Sequence, residues 1–146
     1  MTCRLATRTD LADIQRCARA AYAQYVPLIG REPAPMVADF AAQIDSGWVH
    51  VFHQDGLAEY IVFYPRKADM FLENVAVHPD AWGRGIGRQL ITLCEDAARA
   101  QGCDTVRLYT SAAMTGNLTL YPRLGYVETE RRREDGFNRV YFEKRL

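Results

Sequence analysis

The stretch Val77-His-Pro-Asp-Ala-Trp-Gly-Arg-Gly-Ile-Gly-Arg88 joins an apolar run, Met70 to Val77, to a long amphipathic segment, Arg84 to Gln101. The run is apolar almost throughout and stops at His78-Pro79, which predicts a strand covered on both faces. The segment after it repeats Ile86, Leu90, Leu93, Cys94 and Ala97 along one helical face and closes at Gly102. Between the two, alternating glycines expose backbone N–H groups at a helix start, where the helix dipole adds to their attraction for an anion. Gly83, Gly85 and Gly87 lack the Cβ atoms that would hold a pyrophosphate away from the main chain. Arg84 and Arg88 stand where the positive end of the dipole disfavours a cation, so a bound anion accounts for them; the alternative is a pair of solvated arginines. A Walker A loop would need Gly-Lys-Ser or Gly-Lys-Thr, and the dinucleotide pattern counted from Gly83 would put its last glycine at Arg88. The loop belongs to a different phosphate-binding class.

Near the start of the chain, Cys3 to Ala6 reads as a short strand, and Thr9 as the N-cap of a helix from Asp10 to about Tyr25 with Leu11, Ile14, Ala18 and Ala21 on one face. Residues Val26 to Pro35 break it, and a second helix from about Pro35 to Ser46 ends at Gly47. Trp48 to Gln54 and Leu57 to Tyr64 form a hairpin around Asp55-Gly56. Beyond the long helix come a strand from Val106 to Thr110 and a short helix from about Asn117 to Leu124. A terminal hairpin, Tyr126 to Lys144, turns at Asp135-Gly136. The order β-α-α-β-β-β-α-β-α-β-β is a mixed α/β (α+β) class, expected to form one domain over residues 1–146.

The 146 residues are 49% apolar, enough for a substantial core, and eighteen basic residues balance eighteen acidic ones. With no bulk positive field, nucleic acid is not an expected partner. Lys67 and Lys144 are the only lysines, so anion contacts would fall to arginine. No apolar stretch approaches the length needed to span a bilayer, and the start MTCRLATRTD has no apolar signal core, so no membrane association and a cytoplasmic location are expected. Cys3, Cys17, Cys94 and Cys103 form no Cys-x-x-Cys pair and read as reduced thiols; His50, His53 and His78 lack metal-site spacing, so no metal is expected.

The sequence resembles the GNAT acetyltransferase superfamily, whose signature Q/R-x-x-G-x-G/A follows the fourth strand and corresponds here to Trp82-Gly-Arg-Gly85-Ile-Gly87. Asn117-Leu-Thr-Leu-Tyr121-Pro-Arg-Leu-Gly-Tyr126 is similar to its second motif, an Asn-containing helix with a Tyr followed by a Gly-aromatic pair. There are two departures. Trp82 replaces the Gln or Arg, and Met114 occupies the position seven before the Tyr where Asn is more usual, which leaves Asn117 to take over that contact. The resemblance implies a GNAT fold: a mixed central sheet of about seven strands flanked by four helices, with strands four and five splayed. It implies acetyl-CoA as co-substrate, with Val75, Ala76 and Val77 meeting the acetyl and pantetheine groups. Gly83, Arg84, Gly85, Ile86, Gly87 and Arg88 would take the pyrophosphate.

A free N–H on a splayed strand suits an oxyanion, and Val75 is the candidate; the alternative is that Val75 to Val77 are plain core. An amine of pKa about 10 needs a base at pH 7. Glu73 is the only charged residue inside Met70 to Val77, and period two puts it on the face of Val75; an exposed position or a structural ion pair is the alternative. Tyr121 resembles the family's proton donor to the departing thiolate. Full transfer from a phenol near 10 to a thiolate near 8.5 is uphill by roughly 2 kcal/mol, so a hydrogen bond that stabilises the thiolate is the alternative. The superfamily's acceptor cleft lies between the first two helices and the terminal hairpin, which offers Tyr22, Tyr25 and Arg31; Arg31 would bind a carboxylate or be solvated. The expected activity is direct transfer to a primary amine, preferably a small molecule. A protein lysine or N-terminal acetyltransferase and a non-catalytic acyl-CoA sensor are the alternatives. An exposed last strand would support a homodimer.

Overall fold

A computed structural model describes residues 2–146 and places all seven strands in one sheet. In chain order the elements are β1 (Arg4–Leu5), α1 (Leu11–Tyr22), α2 (Val26–Ile29), α3 (Phe40–Asp45), β2 (Val49–Gln54), β3 (Leu57–Arg66) and β4 (Asp69–Ala76). There follow α4 (Ile86–Ala100), β5 (Thr105–Ser111), α5 (Thr115–Arg123), β6 (Val127–Glu134) and β7 (Phe137–Arg145). The expected mixed sheet is present. Its four flanking helices are α1, α3, α4 and α5, and α2 is a single turn that prolongs α1.

That prolongation is a correction. Asp10, not Thr9, stands at the N-cap of the first helix: the Thr7 N–H donates to the Asp10 carboxylate at 2.8 Å, which Arg4 also grips at 2.8 and 2.9 Å. This clamp holds the Asp10 carboxyl down at about 2. At the other end the chain continues through a 3₁₀ turn, Ala23–Tyr25, into Val26–Ile29 and stops only at Gly30, whose φ of 88° is left-handed. Pro27 does not break it, because Pro is tolerated in the first turn of a helix. The expected second helix contracts to a 3₁₀ turn, Ala34–Val37, and α3.

The sheet order is β1-β2-β3-β4-β5-β7-β6, antiparallel except for β4 and β5. Those two pair only at Met70↔Val106 and Phe71↔Arg107 and then diverge, which is the splay. The core is divided by the sheet. On one face α4 buries Leu90, Ile91, Cys94 and Ala98 against Ile61, Met70, Leu72 and Val106. On the other, α1 and α3 bury Ile14, Ala18, Phe40 and Ile44 against Val49, Val51, Tyr60 and Val62. β7 lies inside, between β5 and β6, so the sheet edges are β1 and β6 and not the last strand. β6 reads VETERRRE, a charged edge that disfavours strand-to-strand pairing with a second copy.

Glu59 of β3 is fully buried, and neither carboxylate oxygen has a hydrogen-bond partner among the described residues. Desolvation pushes its pKa up, so the folded state holds the proton longer than the unfolded chain. Stability contributed by that proton is complete at low pH and declines as pH rises above the usual Glu range. Glu59→Met is therefore expected to stabilise the protein by roughly 1–3 kcal/mol at pH 8, with a smaller gain near pH 4. Urea midpoints at the two pH values measure it; a loss at pH 8 would mean that the carboxylate is compensated.

Candidate active site

Strand β4 carries the decisive irregularity. Val62 pairs with Asn74 but Phe63 pairs with Leu72, so Glu73 is an extra residue in a β-bulge. The bulge resets the side-chain alternation. Met70 and Leu72 face α4, Glu73 and Asn74 both face α1 and α3, and Val75 returns to the α4 side. The expected common face for Glu73 and Val75 is thus wrong, because strict period two does not survive a bulge.

Two anchors hold Glu73. Tyr64 donates its hydroxyl to one oxygen at 3.0 Å, and the Gln43 amide donates to the other. Burial, with Glu73 alongside, pushes the Tyr64 phenol up to about 12, so it remains a donor across neutral pH. Asn74 is fixed by the hydroxyls of Tyr22 at 2.9 Å and Tyr60 at 3.3 Å, and donates to the Pro35 carbonyl at 3.1 Å.

The backbone of Val75 points into the splay. On β3 the Phe63 N–H bonds the Trp48 carbonyl on the β2 side, so by alternation Ile61 also directs its groups to β2. Its partner Val75 then belongs to a non-hydrogen-bonded pair and turns its own N–H and carbonyl away from β3. The Tyr22 hydroxyl lies 3.0 Å from that carbonyl.

After β4 the chain makes a 3₁₀ turn, Pro79–Ala81, and the glycine loop leads into α4 with Gly85 as N-cap. Gly83 and Gly85 have φ of 82° and 75°, a region open to glycine at little cost. Gly87 lies in α4 with ordinary geometry, and a Cβ there would meet only the Val77 side chain, at a relaxed 3.7 Å. Trp82, the departure from the signature, ties the loop to the end of β4, because its indole N–H donates to the Val77 carbonyl at 2.7 Å. Arg88, Gly83, Gly85, Ile86 and Gly87 line a groove of about 480 Å³ together with Val75, Ala76, Val77 and Tyr25. Arg84 does not; its guanidinium sits 3.5 Å from Asp55 in the β2–β3 turn, leaving its backbone for the loop.

On the far side of the splay a second cavity, of about 240 Å³, is bounded by the 33–38 loop, β4, β5, α5 and β7. Tyr22, Val75, Asn117 and Tyr121 line both spaces. Asn117 donates to the Thr110 hydroxyl at 3.1 Å, whereas Met114 is buried in the core and cannot replace it. Tyr121 is wedged against Tyr126 and Phe142 at 5.6 and 5.7 Å, and its hydroxyl makes no hydrogen bond among the described residues. Burial, with Cys94 behind it, raises its pKa further, so a complete proton transfer is harder than the reference values imply.

A sequence model described as the acetyltransferase (GNAT) family matches residues 12–126. The chain belongs to the GNAT acetyltransferase family. Among curated proteins it is 29% identical over 84 residues to "Probable N-acetyltransferase 14" of Xenopus tropicalis; the match takes in 56% of this chain but only 41% of that relative. The ribosomal-protein-alanine N-acetyltransferase of Brucella melitensis has a similar structure, with TM-score 0.74, 20% identity and complete coverage of both chains. So has the PaiA N-acetyltransferase of Thermoplasma acidophilum crystallised with coenzyme A, with TM-score 0.74, 14% identity and coverage of 99% and 98%. At these identities the structures establish a shared GNAT fold.

Three features of this GNAT domain correct or extend the sequence reading. Arg31 does not line this second cavity: it stacks 3.7 Å from the Phe137 ring centre and donates to the Asp135 carbonyl, bracing the tip of the β6–β7 hairpin. Cys17 lies beside β4, its thiol 3.7 Å from the Ala76 carbonyl, but burial raises it to about 12 and keeps it from acting as a nucleophile. Arg139, Tyr109 and Gln43 line the cavity although the sequence motifs do not single them out. The alternation Phe137, Arg139, Tyr141 is a usable signal for an arginine among aromatics. Their place in the site depends on β7 lying next to β5, which no local pattern reveals. Among the described residues no group of three or more His, Cys, Asp or Glu is placed to hold a metal ion, and no helix is long and apolar enough to cross a membrane.

Proposed function

We propose that this chain is an acetyl-CoA-dependent N-acetyltransferase that transfers directly to the primary amine of a small molecule in a ternary complex. The observation that carries the reading is the pair of spaces on either side of the splay, which share Tyr22, Val75, Asn117 and Tyr121 as a common wall. The groove fits the cofactor: it holds the glycine loop, the α4 N-terminus and Arg88, the chemistry that a pyrophosphate needs. Acetyl-CoA supplies an activated acyl group whose carbon–sulfur bond breaks as the carbon–nitrogen bond forms. Glu73 takes a proton from the acceptor amine, the Val75 N–H donates to the carbonyl oxygen as charge builds there, and Tyr121 donates a hydrogen bond to the departing sulfur. Burial keeps Cys17 and Cys94 as neutral thiols, which favours direct transfer over an acyl-cysteine route.

The cavity, of about 240 Å³, supports a small acceptor. Thiol release from acetyl-CoA across polyamines, amino acids, aminoglycosides and short peptides, run beside calorimetric titration of the cofactor, tests the proposal. Turnover of a small amine with acetyl-CoA binding supports it. Turnover of peptides alone would move the acceptor to a protein, binding without turnover would indicate a sensor, and absence of binding would remove the groove as a cofactor site.

A further inference from the structure

We infer that the acceptor carries a carboxylate as well as an amine, and that Arg139 binds that carboxylate. The inference rests on the transferase reading above. Arg139 projects from β7 into the acceptor-side cavity, on the same sheet face as Glu73. Phe71 stacks on Tyr109 at 5.8 Å, and the Arg139 guanidinium lies over the other end of that ladder, 4.4 Å from the Tyr109 ring centre.

Its side chain is 13% exposed, and none of its N–H groups makes a hydrogen bond among the described residues. Two acids approach it, Glu134 at 3.6 Å and Asp135 at 3.7 Å, both at the hairpin tip. Neither is its dedicated partner: Tyr141 and Arg132 engage Glu134, and the Asp135 side chain is 82% exposed. A guanidinium has five donors in a planar fork matched to a carboxylate, and a nearly buried one without hydrogen bonds is incomplete. Cation–π contact with Tyr109 and Phe137 orients the plane but satisfies no N–H.

The remaining lining supplies the complement. Glu73 is the only other charged residue among those that bound the cavity, so the space offers one anion and one cation. The strands that carry them lie on either side of β5, with β4 diverging from β5 beyond Phe71, and both side chains line the same cavity. A zwitterion the size of an amino acid places its amine at Glu73 and its carboxylate at Arg139. A polyamine would set its second ammonium against the guanidinium and be rejected.

The test compares amino acids with their carboxamides, which keep the amine and lose the charge, together with a diamine. Thiol release is measured for the wild type, Arg139→Gln and Arg139→Lys. The acid is expected to exceed its amide by about 30-fold or more in kcat/KM, the effect of truncating one side of a hydrogen-bonded charge pair. Arg139→Gln should erase that preference through KM for the acid, and Arg139→Lys should restore part of it. Calorimetry of acetyl-CoA with each variant checks that the fold is intact. Equal turnover of acid and amide, a preference for the diamine, or an equal loss on both substrates in Arg139→Gln would overturn the inference while leaving the transferase standing. Cofactor binding without turnover of any amine would overturn both.

Discussion

Glu73→Gln is expected to lower turnover at pH 7 by about 10²–10³-fold, with the deficit shrinking toward about tenfold at pH 9. The pH dependence follows from the acceptor. An amine of pKa about 10 is free in roughly one molecule in a thousand at pH 7 and one in ten at pH 9. With a carboxylate beside it the ammonium form is usable, and without one only the free fraction reacts. Glutamine preserves the size of the side chain and keeps an acceptor for the Tyr64 hydroxyl, so the geometry seen at 3.0 Å has a counterpart in the variant. Rate profiles from pH 6 to 10 for the two proteins decide the matter. A deficit independent of pH would make Glu73 a structural anchor for Gln43 and Tyr64.

Gly87→Ala separates folding from binding at one atom. A methyl group there meets only Val77, at a distance of normal contact, and alanine is the better helix former, so stability should stay level or rise by up to about 1 kcal/mol. The same methyl enters the groove where the main chain is proposed to meet the pyrophosphate. The dissociation constant for acetyl-CoA is expected to rise by about 10–100-fold, as for an overfilled packed site. Thermal unfolding and calorimetry on one preparation give both numbers. Unchanged affinity would place the pyrophosphate elsewhere. Alanine at Gly83 or Gly85 is a poorer probe, because the left-handed backbone would be strained whether or not a ligand binds.

Punctuation makes much of the fold legible. Asp55-Gly56 and Asp135-Gly136 turn two hairpins with positive φ at both residues, as the twist of a two-residue hairpin favours. Gly102 closes α4, and the glycines that follow Trp82 mark the turn that leads into it. Pro65 misleads: it suggests an end to β3 at Tyr64, but β2 stops pairing at Val62, and a strand with a free side tolerates a residue without an N–H. The Glu73 bulge leaves no local mark, since one inserted residue in an apolar run changes pairing and not composition. Arg139 is hidden for another reason. Its environment is made by the insertion of β7 between β5 and β6, a contact of residues distant in the chain, and an arginine in a charged hairpin reads as solvated until that neighbour is known.

The bulge divides β4 into two halves that evolution can edit separately. At Glu73 a change of side chain alters the wall of the smaller cavity, and downstream of Asn74 the strand turns main-chain groups into the splay whatever its side chains are. A regular strand would couple the two, since any shift that re-aimed the acid would carry the N–H of Val75 with it. One surplus residue gives the domain a vernier: the acid can be advanced, withdrawn or replaced while the backbone that faces the splay stays unaltered.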